Sequence, residues 1–195
     1  MAGSAKPSTR RFKSGRQLKK DKMIDQSLSK YHPTVSQIIK LLKNHHCWFE
    51  TFEHNPVRTS EEAAKTRNGY FLHQGAKVII VRVKVTHSDK KFVMLVFPGD
   101  MRFDNNKIKF LFNAKDIRFA TEQEVSDLTS GIQPGGVPPF GNLFNMEVLA
   151  DPTLFENKKT VFNAGDRSFS VAMESAHYKE IVNPRVESII VNQEN

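Results

Sequence analysis

The sequence predicts an α+β domain built around a mixed or largely antiparallel β-sheet. Segments with the composition of strands outnumber the helical segments, they follow one another in adjacent runs, and polar or turn-forming residues separate them. The chain shows neither an internal repeat nor a sustained heptad, which argues against a solenoid and against a long coiled coil.

Helix signals occur at five places. Apolar residues at helical spacing predict the first helix, which begins near Pro33. These apolar residues are Val35, Ile38, Ile39 and Leu42. A threonine three residues before a glutamate has the spacing of a capping box, and this occurs at Thr59 and again at Thr121. The other two helices are expected at Lys107–Phe112, behind Asp104, and at Ala176–Val182.

Seven segments are expected to form strands, because they are dense in β-branched and aromatic residues. The longest are Ala76–Thr86 and Phe92–Phe97, which a polar turn at His87–Lys90 joins. The other five are Cys47–Glu53, Ile117–Ala120, Met146–Ala150, Thr160–Asn163 and Ser168–Met173. The stretch 131–141, rich in glycine and proline, is expected to be a loop.

The charge of the chain is concentrated near its N-terminus. The 195 residues carry a formal net charge of +8, and residues 1–22 hold eight basic residues against Asp21 alone. Residues 23–195 are therefore close to neutral. We expect residues 1–30 to be a basic, disordered tail, residues 31–190 to be the folded domain, and residues 191–195 to be a short C-terminal tail.

The basic tail has three interpretations that the sequence leaves open. It is a solvated segment that aids solubility, an RNA-binding arm held to phosphates, or an organelle transit peptide. The side chains expected to contact tRNA in the second case are Arg10, Arg11, Lys13, Arg16, Lys19 and Lys20.

Composition excludes several classes of protein. One cysteine excludes a disulfide framework within the chain and a multi-cysteine zinc site. His45, His46 and Cys47 are consecutive, so they lack the spacing of metal ligands, and we expect neither a metal nor a cofactor. No run approaches the roughly 20 apolar residues of a membrane span. The expected location is the cytoplasm, with import into an organelle as the alternative.

Lys77 is the lysine whose position is most informative. Alternation along the strand puts Ile79, Val81, Val83 and Val85 on one face, which should be the buried one, and Lys77 shares that face at the start of the strand. A lysine there must be desolvated, paired or directed into a cleft, because burying an unpaired ammonium is costly. The alternative is that the strand frays at Ala76 and the lysine extends into solvent.

The second informative segment is a stiff loop, in which two glycines permit unusual φ angles and two prolines then fix φ. Its residues are Gly135, Gly136, Val137, Pro138, Pro139, Phe140 and Gly141. Such a loop holds backbone groups toward a ligand, although its glycine spacing fits neither a dinucleotide fingerprint nor a P-loop. Asp151, between the strand Met146–Ala150 and Pro152, either caps a turn or points into a cleft.

An ordered series of segments resembles the YbaK/EbsC family of prolyl-tRNA synthetase-associated deacylases. The resemblance covers about residues 33–185. Its matching pieces are His54–Ala64, Gly75–Ile80, Phe97–Asp100 with Asp104, Arg118–Val125, Leu128 and Thr129, Gly135–Gly141, Asp151 and Asn163–Gly165.

The resemblance implies a partly barrel-like sheet flanked by short helices and a hydrolase that removes wrongly attached amino acids from tRNA in trans. The family's functional lysine falls on Lys77, and its Gly-x-x-x-Pro loop falls on Gly135–Pro139. Lys77 would then hold the tRNA 3′ end or the ester carbonyl, and the loop with Gly165 would bind the terminal ribose and aminoacyl group. Asp151 would orient water, the amino group or Lys77.

The implied partners are the aminoacylated 3′ end of tRNA and prolyl-tRNA synthetase or a multi-synthetase assembly. The expected substrate is tRNA-Pro carrying alanine, serine or cysteine. In family members that act on Ala-tRNA, the residues around the lysine are of the type Thr-Lys-Asn-Leu. This chain has Ala76-Lys77-Val78-Ile79 there, so the resemblance does not single out alanine as the amino acid removed. The alternative function is a non-catalytic module that binds tRNA or a synthetase.

Overall fold

A computed structural model describes residues 27–86 and 88–191. Contacts within the chain separate residues 1–30 from residues 31–195, and the architecture that follows belongs to the second unit. The six basic residues proposed to contact tRNA, and most of both predicted tails, lie outside the described residues.

The second unit contains five α-helices among its described residues. They are α1 (Pro33–Asn44), α2 (Ser60–Thr66), α3 (Asn105–Phe112), α4 (Glu122–Leu128) and α5 (Ser175–Val182). Short 3₁₀ turns occur at Leu72–Gln74, Gly141–Phe144 and Pro152–Glu156. Both predicted capping boxes are confirmed, since the Thr59 and Thr121 hydroxyls accept from the backbone N–H three residues on and the glutamates bond back.

Eight strands are described in this unit. They are β1 (Phe49–Glu53), β2 (Ala76–Lys84), β3 (Lys90–Pro98), β4 (Asp116–Phe119), β5 (Glu147–Ala150), β6 (Lys159–Asp166), β7 (Phe169–Glu174) and β8 (Arg185–Val186). All seven predicted strands are present, with ends that differ by a few residues. The sequence does not predict β8, because two residues carry no alternation pattern.

The strands form two sheets. A five-stranded sheet has the order β4-β2-β3-β5-β8 and a three-stranded sheet has the order β1-β7-β6. The pairs β3–β5 and β5–β8 are parallel, and the other four pairs are antiparallel. A bridge between Gly75 and Val161 joins the two sheets. This arrangement confirms the predicted mixed, largely antiparallel and partly barrel-like fold.

The odd-numbered face of β2 is buried, as the alternation predicts. Val81 and Val83 are fully buried beside Leu95 and Leu149, and Ile79 and Val85 pack at the margin of this core. Lys77 pairs with Phe97 of β3, so the strand does not fray at its start. Therefore Lys77 is held at the edge of the core by regular sheet structure.

Candidate active site

A cavity of about 490 Å³ opens where the edge of β2 has no neighbouring strand. β4 pairs only with Val81–Lys84, and the backbone N–H of Ala120 makes one further bond to the Ile80 carbonyl at 2.9 Å. Backbone groups alternate between the two sides of a strand, so Val78 directs its N–H and C=O to the same side as Ile80. Val78 lines the cavity, which therefore has an open strand edge as one wall.

The remaining walls come from segments far apart in the sequence. They are α2 with the residues on either side of it, the segment from Phe119 to α4, the glycine-proline loop with the preceding Pro134, and one residue of β6. The lining residues from these segments include Arg58, Glu61, Ala63, Arg67, Phe119, Glu122, Val125, Pro134, Gly135, Val137 and Asn163.

Lys77 lies on the cavity wall, and carbonyl oxygens fix its side chain. Its ammonium donates to the carbonyls of Gly99 at 3.2 Å and Met101 at 3.3 Å, and stands 5.7 Å from the centre of the Phe97 ring. An ammonium has three donors, so one remains for a ligand. Glu61 faces the same space. The pKa of its carboxyl is lowered by hydrogen bonds from its own backbone N–H and from Thr59, and by the charge of Lys77.

Two residues of the glycine-proline loop, Gly135 and Val137, line the cavity. Gly135 has φ of +88°, and a Cβ there would lie 2.9 Å from the carbonyl oxygen of Arg58. Only glycine permits both this backbone conformation and this close approach. The loop therefore lies directly against the segment that leads into α2.

The other residues of the predicted loop site pack in the interior and do not line the cavity. The carbonyl of Gly136 accepts from the backbone N–H of Gly165 at 2.9 Å, and the carbonyl of Pro139 accepts from the Tyr178 hydroxyl at 2.8 Å. Phe140 is fully buried. Six residues of the predicted site therefore do not line the cavity: Gly136, Pro138, Pro139, Phe140, Gly141 and Gly165.

A buried polar network fixes the inner end of the loop. The amide nitrogen of Asn163 donates to the Gly135 carbonyl at 2.7 Å, and the amide oxygen accepts from Arg67 Nη2 at 2.8 Å. Arg67 Nε donates to the Ser170 hydroxyl at 3.0 Å, and His54 Nε2 lies 2.7 Å from the same hydroxyl. Burial lowers the pKa of Arg67 to about 10, so its guanidinium remains charged at neutral pH.

The sequence interpretation did not select Arg67 or Asn163. One signal for Arg67 was present, because it lies four residues after Ala63 and therefore continues the buried face of α2. Asn163 belongs to one of the segments that carry the family resemblance, but nothing local shows that its side chain faces a loop 28 residues earlier.

Asp151 does not line the cavity. Its carboxylate, almost fully buried, accepts from the backbone N–H groups of Ile189 at 2.8 Å and Ile190 at 3.1 Å, and from Thr153. Four donors occupy its two oxygens, so the carboxylate caps a 3₁₀ turn and holds the C-terminal segment. These contacts favour the turn-cap interpretation over the expectation that Asp151 orients water, the amino group or Lys77.

Across residues 27–86 and 88–191, no cluster of three histidine, cysteine or acidic side chains is placed to hold a metal ion. In the same part of the chain, no helix has the length and apolar character needed to cross a membrane.

The fold and the site define a small α+β domain whose cavity is bounded by an open strand edge, a rigid loop and basic side chains. The chain belongs to the family of aminoacyl-tRNA editing domains, whose model matches residues 54–181. This membership confirms the resemblance seen in the sequence and the expected class of enzyme, because editing removes an amino acid from tRNA.

Individual relatives agree with this assignment. The chain is 29% identical over 160 residues to the multifunctional Ser/Thr-tRNA deacylase ProXp-y of Escherichia coli (strain K12), covering 82% of this chain and 94% of that protein. It is 36% identical over 113 residues to a proline–tRNA ligase of Sulfurihydrogenibium, covering 58% of this chain and 18% of the ligase. A solved structure of a candidate trans-editing enzyme for prolyl tRNA synthetase has the same fold, with a TM-score of 0.69 at 21% identity, over 83% of this chain and 99% of that one.

Proposed function

We propose that this chain is a trans-acting deacylase that hydrolyses the ester of a small, wrongly attached amino acid on tRNA-Pro. The observation that carries the proposal is the position of Lys77. Lys77 lines a cavity that the glycine-proline loop also lines, and its ammonium, which donates to two carbonyls, has a third N–H for a ligand. The family membership and the similarity to a proline–tRNA ligase support the choice of substrate.

The chemistry required of the site is modest, because an aminoacyl ester is already activated. Hydrolysis needs a positioned water and donors placed where the oxyanion develops. The free donor of Lys77 and the backbone N–H of Val78 supply such donors. The loop at Gly135 and Val137, which lines the same cavity, would position the terminal ribose.

Part of the cavity lining is apolar. Ala63, Val125 and Val137 are apolar and nearly buried, and they belong to α2, α4 and the loop. The deacylase relative is named for serine and threonine, which adds threonine to the alanine, serine and cysteine expected from the sequence. An apolar pocket alone separates side chains that differ by one methylene only about 10- to 200-fold.

The test is a panel of deacylation rates. The chain is incubated with tRNA-Pro charged with alanine, serine, cysteine or threonine, and with correct prolyl-tRNA as the control. We expect faster loss of at least one mischarged ester and stable prolyl-tRNA. Lys77→Met should lower kcat/KM by at least about 100-fold, the scale of losing one oxyanion donor. Lys84→Met, on the same strand outside the cavity lining, is the matched control and should leave the rate unchanged.

Two results would overturn the proposal. If a folded Lys77→Met protein keeps the wild-type rate, Lys77 has no part in the chemistry. If no ester in the panel is lost faster than without protein while tRNA or synthetase still binds, the chain is a non-catalytic binding module.

For the basic N-terminal segment we propose a docking role on tRNA. Changing Arg10, Arg11, Lys13, Arg16, Lys19 and Lys20 to glutamine should weaken tRNA binding and flatten its dependence on salt concentration, because fewer counterions are released. Unchanged affinity and salt dependence would assign these residues to solubility alone.

A further inference from the structure

Arg67 carries a charge that no acidic residue balances. Only 6% of Arg67 is exposed, yet within the described residues no carboxylate forms an ion pair with its side chain. Its two hydrogen-bond acceptors, Asn163 and Ser170, are neutral. A buried cation without a counter-charge is costly to the folded state, so its retention calls for a function.

One nitrogen of the Arg67 guanidinium makes no hydrogen bond within the described residues. Nε and Nη2 donate to Ser170 and Asn163, whereas Nη1 has no acceptor in the part of the chain that the structure describes. Nη1 lies beside Gly75, 3.9 Å from the position that a Cβ would take on that residue, and both residues line the cavity. The guanidinium therefore presents two fixed N–H donors to the cavity.

The position of Arg67 in the cavity identifies the part of the substrate that reaches it. Arg67 and Asn163 are both more than nine-tenths buried, whereas Lys77 is only partly buried. If Lys77 holds the ester at the outer part of the cavity, the group that reaches Arg67 is the amino-acid side chain. Ala63 and Val137, both nearly buried, add apolar surface to the same cavity, which suits the carbon atoms of such a side chain.

The charges around the cavity select the chemical nature of that side chain. The ligand must supply an oxygen that accepts a hydrogen bond from Nη1. The cavity lining holds the carboxylates of Glu61 and Glu122 beside the basic side chains of Arg58, Arg67 and Lys77, so an anionic side chain would meet repulsion from the carboxylates as well as attraction to the basic groups. A neutral hydroxyl oxygen satisfies the donors of Arg67 without this repulsion.

We propose that Arg67 Nη1 donates a hydrogen bond to the side-chain hydroxyl of the amino acid being removed, so that seryl and threonyl esters are preferred over alanyl esters. This inference rests on the proposed deacylase function. A site that hydrogen-bonds a substrate hydroxyl rejects an analogue without it more strongly than an apolar pocket rejects a change of size, because the buried donors are left unpaired. We expect a preference of at least about tenfold.

The first experiment needs no variant. Seryl and 2-aminobutyryl groups have nearly the same size and differ by a hydroxyl in place of a methyl. We measure kcat/KM for tRNA-Pro carrying serine, threonine, 2-aminobutyrate, alanine or aspartate. The proposal requires serine and threonine to exceed 2-aminobutyrate and alanine by at least about tenfold, and aspartate to be poor. Equal rates for serine and 2-aminobutyrate, or a preference for aspartate, would overturn it.

The second experiment replaces the donor. Arg67→Met keeps the length of the side chain and removes its N–H groups, and Arg185→Met, outside the cavity lining, is the control. Arg67→Met should lower the seryl rate more than the alanyl rate, because loss of the bonds to Asn163 and Ser170 affects both esters whereas loss of Nη1 affects only the seryl ester. An equal fall for both esters would mean that Arg67 holds the ester carbonyl or the adenosine, and the proposal would be wrong.

A binding assay separates this proposal from the proposed function. Amide analogues of seryl- and 2-aminobutyryl-adenosine resist hydrolysis, and calorimetry gives their affinities for the wild-type chain. If no ester is hydrolysed, the deacylase function fails, but a seryl amide that binds at least about tenfold more tightly would still support the role of Arg67. Equal affinities would refute that role whatever the activity.

Discussion

The side-chain amide of Asn163 donates a 2.7 Å hydrogen bond to the carbonyl oxygen of Gly135. Asn163 lies on β6, so this bond ties the glycine-proline loop to the three-stranded sheet. The same amide accepts from Arg67, which follows α2. Three walls of the cavity therefore meet at one side chain, and a change in any of them alters the position of the loop.

The first prediction concerns the close approach of the loop to Arg58. Gly135→Ala should strain the left-handed backbone and force its Cβ against the Arg58 carbonyl at 2.9 Å. The shifted loop should lower kcat/KM for deacylation about tenfold or more, because catalysis depends on positioning.

Gly69→Ala is the control for this effect of Gly135. Gly69 has a similar φ of +84°, but no atom lies within 4 Å of a Cβ there. Both variants should lose about 1–2 kcal/mol of stability from backbone strain, Gly135→Ala should lose more because its Cβ also meets the Arg58 carbonyl, and only Gly135→Ala should lose activity. Equal activities would show that the loop position does not matter.

A second prediction concerns the attachment of the loop to α5. Tyr178→Phe removes the hydroxyl that donates to the Pro139 carbonyl in the core. Leaving that carbonyl without a partner should lower the free energy of unfolding by about 1–3 kcal/mol, measured by urea denaturation. Tyr70→Phe removes an exposed bond to Glu50 and should change stability by no more than about 0.5 kcal/mol. A Tyr178→Phe protein as stable as the wild type would contradict this account.

The third prediction separates a structural from a catalytic Asp151. Asp151→Asn should place an amide N–H₂ against backbone donors and cost roughly 3 kcal/mol in unfolding free energy. The kcat of the protein that remains folded should be unchanged. Asp116→Asn, at an exposed position on β4, should affect neither quantity. A large fall in kcat without a loss of stability would restore a catalytic role for Asp151.

The fourth prediction is a pH dependence of stability that comes from His54. Burial lowers the pKa of His54 below 6.5, its value in the unfolded chain, with a smaller contribution from the charge of Arg67. The unfolded chain therefore takes up the proton first as the pH falls, so the contribution of neutral His54 is present above about pH 6.5 and is lost as the pH falls through the folded pKa.

Denaturation curves at pH 7.5, 6.5, 5.5 and 4.5 measure this dependence. His54→Asn should flatten the fall in unfolding free energy over this range relative to the wild type. His46→Asn is the control, because His46 is exposed and its φ of +55° suits asparagine. Parallel curves for wild type and His54→Asn would refute the assignment.

Much of the candidate site was identifiable from sequence because its signals are local. The alternation in β2 places Lys77 on the same face as Ile79 and Val81, and the glycines and prolines mark a stiff loop. The structure confirms the strand, its buried face and the loop. The function of Lys77 and Gly135 remains a prediction.

Asp151 shows the limit of local signals. Its position after a strand and before a proline suited both a turn cap and a cleft residue. Which of these two roles the carboxylate of Asp151 takes depends on Ile189 and Ile190, which lie 38 and 39 residues later. Their backbone N–H groups donate to its second oxygen.

By itself, the sequence determined the fold class, the helix starts at Thr59 and Thr121, and the face on which Lys77 lies. Caps and strand alternation act over a few residues, so neighbours in the chain are sufficient to establish them. Only the tertiary structure decided that Arg67, Asn163 and Gly135 meet at the inner end of the cavity. Arg67 and Asn163 are 96 residues apart in the sequence. Their hydrogen bond is favourable because a buried guanidinium needs acceptors, and Arg67 becomes buried only once the sheets have packed.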